Sequence, residues 1–356
     1  MPSLCILRGC LKFNAMQHFD SDYMEGAHPR ILERLLQTNM TKTAGYSCDE
    51  ISASAREKIR QACSAPDAEV HLLVGGTQTN STVIRGLLRP HEGVLAAHTG
   101  HIAVHESGAI EATGHKVICL PHSEGKISAD EVDRYITAFK ADESWEHMVY
   151  PGMVYISQPT EYGTIYSLSE LEALSQVCRK WQIPLFCDGA RLGYGLTCDE
   201  NDVTLADLAR LCDVFYIGGT KVGAMFGEAV VIPRKGLIPH FYTIIKQSGA
   251  LLAKGRMLGI QFDELFTDNL YFEIARHANV LAKRMREGLT AKGYTLYKQA
   301  PTNQVFVVLT AQEEAKMREV TTFSEWERLA DGRLVVRLAT SWATRAEDVE
   351  ELIEKL

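Results

Sequence analysis

Lys221 stands in the stretch GGTKVGAM, directly after the apolar run DVFYI, with valine, glycine and alanine as neighbours rather than acids. Taking an ammonium out of water without a partner costs on the order of several kcal/mol, so burial drives such a lysine toward the neutral form that condenses with an aldehyde. Asp188 closes a second apolar run, IPLFCD, where a carboxylate needs strong hydrogen bonds or a cation, such as a protonated ring nitrogen or Arg191 three residues on. Upstream, GGTQTN (residues 75–80) lies between a strand-like and a helix-like stretch. The amides around Gly76 and the Thr77 hydroxyl would there meet a phosphate at a helix N-terminus. His101 follows a fourth apolar run. Each feature alone has an ordinary reading: a turn capped by Thr77, an aspartate capping a helix, a core histidine. In combination, lysine, aspartate and phosphate cradle describe pyridoxal phosphate bound through Lys221, with Asp188 on its pyridinium nitrogen.

These residues need a frame that brings four strand ends together. Short apolar runs alternate with amphipathic helical stretches from about residue 21 to 266, the pattern of an α/β fold with a mainly parallel, seven-stranded-type sheet sandwiched by helices. In such sheets ligands bind beyond the carboxyl ends of the strands, where all four motifs fall. From residue 267 the pattern changes to a long amphipathic helix, strand-like runs at 303–310 and 333–342, and a terminal helix. The expected division is an N-terminal extension (1–20), a large cofactor-binding domain (21–266) and a small C-terminal α+β domain (267–356).

Composition narrows the partners. The 356 residues are 46% hydrophobic and 23% charged, with a formal net charge of -8 and no run of Lys or Arg able to track a phosphate backbone. Nucleic acid and anionic membrane are therefore poor partners, and a small-molecule substrate fits better. Nine cysteines without a C-x-x-C pair point to reduced thiols in a cytoplasmic protein, not to disulfides or a zinc site, and no metal is expected. No stretch reaches the ~18 uninterrupted apolar residues of a membrane span, and the N-terminal stretch lacks the features of a secretory signal.

The order of motifs resembles the pyridoxal-phosphate-dependent threonine aldolase family, within the aspartate-aminotransferase-like fold. DSDYMEGAHPRILERL is similar to the family's Ser-Asp opening, which implies that Ser21 helps bind the substrate carboxylate, and AGYSCDE brings Tyr46 near the site. GGTQTN looks like the family's phosphate loop, with Gly76 and Thr77 on the phosphate. GHIAVHESGA resembles the segment whose histidine, here His101, stacks on the pyridine ring, with Glu106 in support and His105 where the family has tyrosine. FCDGARLG implies Asp188 on the ring nitrogen and Arg191 on the substrate carboxylate. GGTKVGAMFGEAVV resembles the lysine motif, AKGRMLG implies that Arg256 reaches the phosphate across a subunit interface, and VVRLATSW makes Arg337 a second carboxylate ligand. One departure stands out: SQPTEYGTIY puts Glu161 where many members carry a second active-site histidine.

The resemblance implies retro-aldol cleavage of L-threonine or L-allo-threonine to glycine and an aldehyde, in a homodimer or homotetramer with sites at the subunit interface. Lys221, His101 and Glu106 are the expected catalytic residues. The acceptor of the hydroxyl proton is left open among His101, His105, Glu106 and a water they hold. The same cofactor set also serves β-elimination and transamination, and a fold of this type can bind amino acids without turnover.

Overall fold

Valine, isoleucine, leucine and phenylalanine occupy both faces of the strand segments, as expected where helices cover a sheet on both sides. In the computed structural model, which describes residues 16–356, β1 (Gln17–His18) stands apart from the main sheet. That sheet has seven strands: β2 (Glu69–Leu73), β3 (Glu92–Ala97), β4 (Val117–Leu120), β5 (Tyr150–Ser157), β6 (Leu185–Asp188), β7 (Val214–Gly218) and β8 (Glu228–Ile232). Their order is β2-β8-β7-β6-β5-β3-β4. Only β8 runs against its neighbours, pairing antiparallel with β2 and β7, while the other contacts are parallel. The carboxyl ends of β2, β3, β5, β6 and β7 thus share one edge, and the reversed β8 delivers its first residue, Glu228, to the same edge between Leu73 and Gly218.

Helices α1 (Pro29–Thr38), α2 (Glu50–Ala62), α3 (Gly76–Leu87), α4 (His101–Val104), α5 (Ala129–Ala141), α6 (Leu168–Trp181), α7 (Leu192–Thr197), α8 (Leu205–Leu211), α9 (Phe241–Gln247) and α10 (Arg256–Leu265) surround this sheet. Their starts are written locally. Ser167 and Glu170 form a capping box on α6, as Thr204 and Asp207 do on α8, each side chain satisfying an amide that the helix leaves without a carbonyl. The two faces of the sheet bury separate apolar clusters, one around Leu95, Ile156 and Phe215, the other around Val94, Phe186 and Val230.

The 22-residue α11 (Leu270–Ala291) joins two cores. Tyr271 and Ile274 pack with the main sheet, whereas Met285 and Leu289 pack against the second sheet. That sheet runs β12 (Ser324–Arg328), β13 (Leu334–Ala339), β10 (Gln304–Leu309), β9 (Thr295–Leu296), with α12 (Ala311–Val320) and α13 (Ala346–Lys355) alongside. The expected extension 1–20 is not wholly apart from this unit. Residues 1–15 lie outside the described residues, but β1 pairs in parallel with β11 (Thr321–Thr322), and Phe19 is buried in the same cluster as Val336. An apolar ring at position 19 is enough to draw the preceding strand onto the C-terminal unit. Among the described residues no helix is long and apolar enough to cross a membrane.

Candidate active site

Two adjoining cavities open at the shared strand edge, of about 350 Å³ and 400 Å³, and Tyr23, His101, Glu161, Arg191 and Lys221 line both. The first is completed by Gly75, Gly76, Thr77, Asp188, Tyr216 and Glu228, the second by His105, Trp326 and Arg337. A larger cavity of about 740 Å³, beside α11, contains none of the strand-end residues and mixes Lys283 and Arg286 with Asp199 and Glu200. The chemistry lies with the smaller pair.

Lys221 follows β7 at the junction of the two spaces, and no carboxylate oxygen stands within ion-pair distance of its Nζ among the described residues. Burial and the nearby Arg191 charge push its ammonium down to about 8, against the opposing pull of Asp22, Asp188 and Glu228. Close backbone approach fixes its position: a Cβ on Gly218 would overlap the Ala190 carbonyl, and one on Gly189 would overlap that of Tyr216, so the turns after β6 and β7 interlock only with glycines.

Asp188 is buried but still lines the cofactor cavity, and four donors reach its carboxylate. Tyr216 Oη (2.5 Å) and the Ala190 amide (2.9 Å) donate to Oδ1, while Tyr155 Oη (2.6 Å) and Asn80 Nδ2 (3.0 Å) donate to Oδ2. Burial alone would raise its pKa, but the His101 charge and the two tyrosine hydroxyls outweigh it and hold the group ionised. Asn80 also donates to Glu106 Oε1 at 2.7 Å, and His101 Nδ1 meets the same oxygen at 2.8 Å. Glu106 lies behind His101 and lines neither cavity. Its contact with His101 Nδ1 orients the imidazole. The sequence reading missed Asn80, Tyr155 and Tyr216. Their signal was positional: Asn80 sits one turn into α3 from Gly76, and each tyrosine lies two residues before the last residue of its strand, on the same face.

Arg191 differs from expectation. Its Nε and Nη2 donate to Asp22 Oδ2 (2.7 Å) and Oδ1 (2.9 Å), a bidentate pair with Asp22 fully buried, and Asn303 Nδ2 supports Asp22 at 2.9 Å. Burial would raise the Asp22 pKa, but Arg191 and Lys221 bring it down to about 2. The guanidinium left for an incoming carboxylate is Arg337. It lines the second cavity, forms no ion pair among the described residues, bonds only neutral oxygens of Gln304, Asp20 and Ser324, and has a buried Nε with no partner. Burial and the Arg191 charge push Arg337 down to about 10. Ser21 lines neither cavity, although Tyr23 lines both.

Two expected residues are not brought in by this chain. Tyr46 is exposed beneath Lys246, whose Nζ is 4.5 Å from its ring centre. Arg256 is at the start of α10, half-buried, donating to the carbonyls of Asn39 and Thr41.

The pocket fits pyridoxal phosphate. Gly75 precedes α3 without a side-chain cap, leaving its first amides toward the cavity, and a Cβ on Gly76 would stand 3.3 Å from the Tyr216 hydroxyl. An ionised Asp188 and an uncompensated Lys221 complete the donor set. Among the described residues, no cluster of His, Cys, Asp and Glu is spaced to hold a metal ion.

Comparison with known proteins agrees with this geometry. The sequence profile of the beta-eliminating lyase family matches residues 18–312. A low specificity L-threonine aldolase of Pseudomonas aeruginosa is 29% identical over 341 residues, covering 94% of this chain and 96% of that protein. The solved threonine aldolase of Leishmania major superposes with a TM-score of 0.91 at 45% identity, covering 95% of this chain and 98% of that one. Thermus thermophilus aspartate aminotransferase, 18% identical with a TM-score of 0.72 over 96% of this chain and 90% of its own, shares the fold.

Proposed function

The chain belongs to the beta-eliminating lyase family and is a pyridoxal-phosphate-dependent lyase, and on that premise we propose that it cleaves L-threonine and L-allo-threonine to glycine and acetaldehyde. The observation that carries this reading is Lys221 between two cavities, one ending at ionised Asp188 and the other at unpaired Arg337. Lys221 would hold the cofactor covalently, Asp188 its ring nitrogen, His101 its ring face, and Gly76 and Thr77 its phosphate. When bound, the cofactor supplies an electron-withdrawing ring that takes up the pair left when a bond at the substrate Cα breaks.

The remaining work falls to the chain. Arg337 binds the substrate carboxylate, and the Arg191–Asp22 pair walls that end of the site and keeps a positive charge beside it. Glu106 fixes one tautomer and plane of His101. Lys221 Nζ, its pKa pushed down to about 8 by burial, both accepts and returns a proton near Cα.

We also propose a homodimer or homotetramer with shared sites. Support comes from Leu32, Leu36 and Met40, apolar side chains exposed to 45%, 79% and 89% on and just beyond α1, with Arg256 beside them on the carbonyls of Asn39 and Thr41. The seven described cysteines are all free, in keeping with a cytoplasmic setting.

The purified protein, incubated with L-threonine, L-allo-threonine and L-serine, should yield acetaldehyde and glycine from the first two, measured separately from pyruvate, 2-oxobutyrate and ammonia. Keto acid with ammonia as the main product would replace retro-aldol cleavage with elimination. Lys221→Ala should lose the visible cofactor band, and an unchanged spectrum would sink the cofactor assignment.

A further inference from the structure

Acidic groups crowd the ring end of the site, and they differ in what they face. Asp188 and Glu228 line only the cofactor cavity, and Glu106 lines neither. Glu325, in the substrate cavity, is exposed and paired with Arg318. Glu161 alone among these lines both cavities, and it is only 8% exposed. No lysine or arginine nitrogen stands within ion-pair distance of it among the described residues. Ser157 Oγ (2.7 Å) and the His101 amide (2.9 Å) both donate to its Oε1. These bonds fix the carboxyl plane against the ring-stacking segment and leave Oε2 for a ligand.

We infer that Glu161 is the catalytic base that takes the β-hydroxyl proton, a role that rests on the retro-aldol reading above. The substrate O–H bond breaks and its proton passes to Glu161 Oε2. The pair freed on oxygen becomes the second bond of the aldehyde carbonyl as Cα–Cβ breaks. The Cα–Cβ pair stays with the amino-acid fragment, which becomes glycine on gaining a proton at Cα.

The surroundings suit the task. Burial raises the Glu161 carboxyl above the usual range and the Asp188 charge adds to this, while the Ser157 hydroxyl and His101 oppose it. The other charged or titratable groups lining the same two spaces are Tyr23, His105, Arg191, Tyr216, Lys221, Glu228, Glu325 and Arg337. A carboxylate of raised pKa is a stronger proton acceptor, and the cleavage rate must fall at low pH as it protonates. His105, whose pKa partial desolvation and the His101 and Arg337 charges push below the usual imidazole range, is the competing base in the substrate cavity.

Glu161→Gln keeps the shape of the side chain and one carbonyl oxygen for the Ser157 contact. In the cofactor-loaded variant, kcat/KM for threonine cleavage should fall by about 10²- to 10⁴-fold with loss of the low-pH limb. The visible band, the glycine Kd and the exchange of the glycine Cα proton with deuterium, which needs cofactor and Lys221 but no hydroxyl base, should stay within about threefold. Glu161→Asp should keep the limb at reduced rate. The inference is overturned by Glu161→Gln cleaving normally with the limb intact, by equal loss of cleavage and glycine exchange, or by the limb vanishing in His105→Asn instead. If the parent protein exchanges glycine but releases no aldehyde from threonine, the functional reading falls with it. Normal parent cleavage with an unaffected Glu161→Gln variant overturns this inference alone.

Discussion

At the level of single residues, the buried Asp22–Arg191 pair decides how the substrate end of the site is built. Two charges taken out of water roughly break even when paired, but removing one leaves the other stranded, at a cost of about 3–5 kcal/mol. Asp22→Asn should therefore lower the stability of the apoprotein by about that amount in denaturant unfolding, with the far-UV spectrum preserved below the transition. A loss below about 1 kcal/mol would mean that Arg191 finds another partner. The pH dependence has a definite sign. The folded-state pKa of Asp22 is depressed from 3.8 to about 2, so its contribution is fully present above 3.8 and is lost as pH falls through that window. The variant should show a flatter stability profile there. Such a pairing was not legible in the sequence, because Asp22 and Arg191 are far apart in the chain and only the fold makes them neighbours. A strand-end arginine reads equally well as a substrate ligand.

At the level of elements, the site depends on how closely the ends of β6 and β7 cross. Gly218→Ala would drive a methyl into the carbonyls of Gly189 and Ala190, both backbone atoms that cannot swing away. It should cost more than about 4 kcal/mol or prevent soluble expression. Gly26→Ala, with open space around its Cβ position, should change stability by less than about 0.5 kcal/mol. Comparable melting curves for the two variants would remove the interlock as the device that positions Lys221. This layer was largely readable beforehand. Continuous apolar runs marked β2, β3, β5, β6 and β7, and polar residues at their ends marked one edge, because a parallel sheet buries both faces and leaves only its strand ends free for chemistry. Less readable were α7 and α9, short helices of 6 and 7 residues with too few turns to show a period, and β12, whose sequence SEWER carries three charges. The reversal of β8 was also hidden, since strand direction leaves no mark on an apolar run.

For the whole molecule, the phosphate end of the cofactor cavity poses the last problem. Among the described residues the only Lys and Arg side chains lining that cavity are Lys221 and Arg191, and Arg191 is committed to Asp22, so a doubly charged phosphate at Gly76 and Thr77 meets amides and a hydroxyl but no free guanidinium from these residues. Arg256, the sequence candidate for that contact, is half-buried against the end of α1, the helix that carries the exposed Leu32 and Leu36. A second copy that covers this face and inserts its own Arg256 would supply the charge, in line with the proposed dimer. Arg256→Ala should then weaken cofactor retention on dialysis, and light scattering should report at least twice the 39.6 kDa of one chain. The decisive measurement is complementation. Arg256→Ala and Lys221→Ala chains are each inactive or weak alone, but a mixed dimer carries one site with Lys221 from the first chain and Arg256 from the second. Random reassortment makes half the dimers mixed, so about a quarter of all sites should recover cofactor and turnover. If mixing restores nothing although the chains exchange, Arg256 serves its own chain and the phosphate must be held by the α3 amides alone.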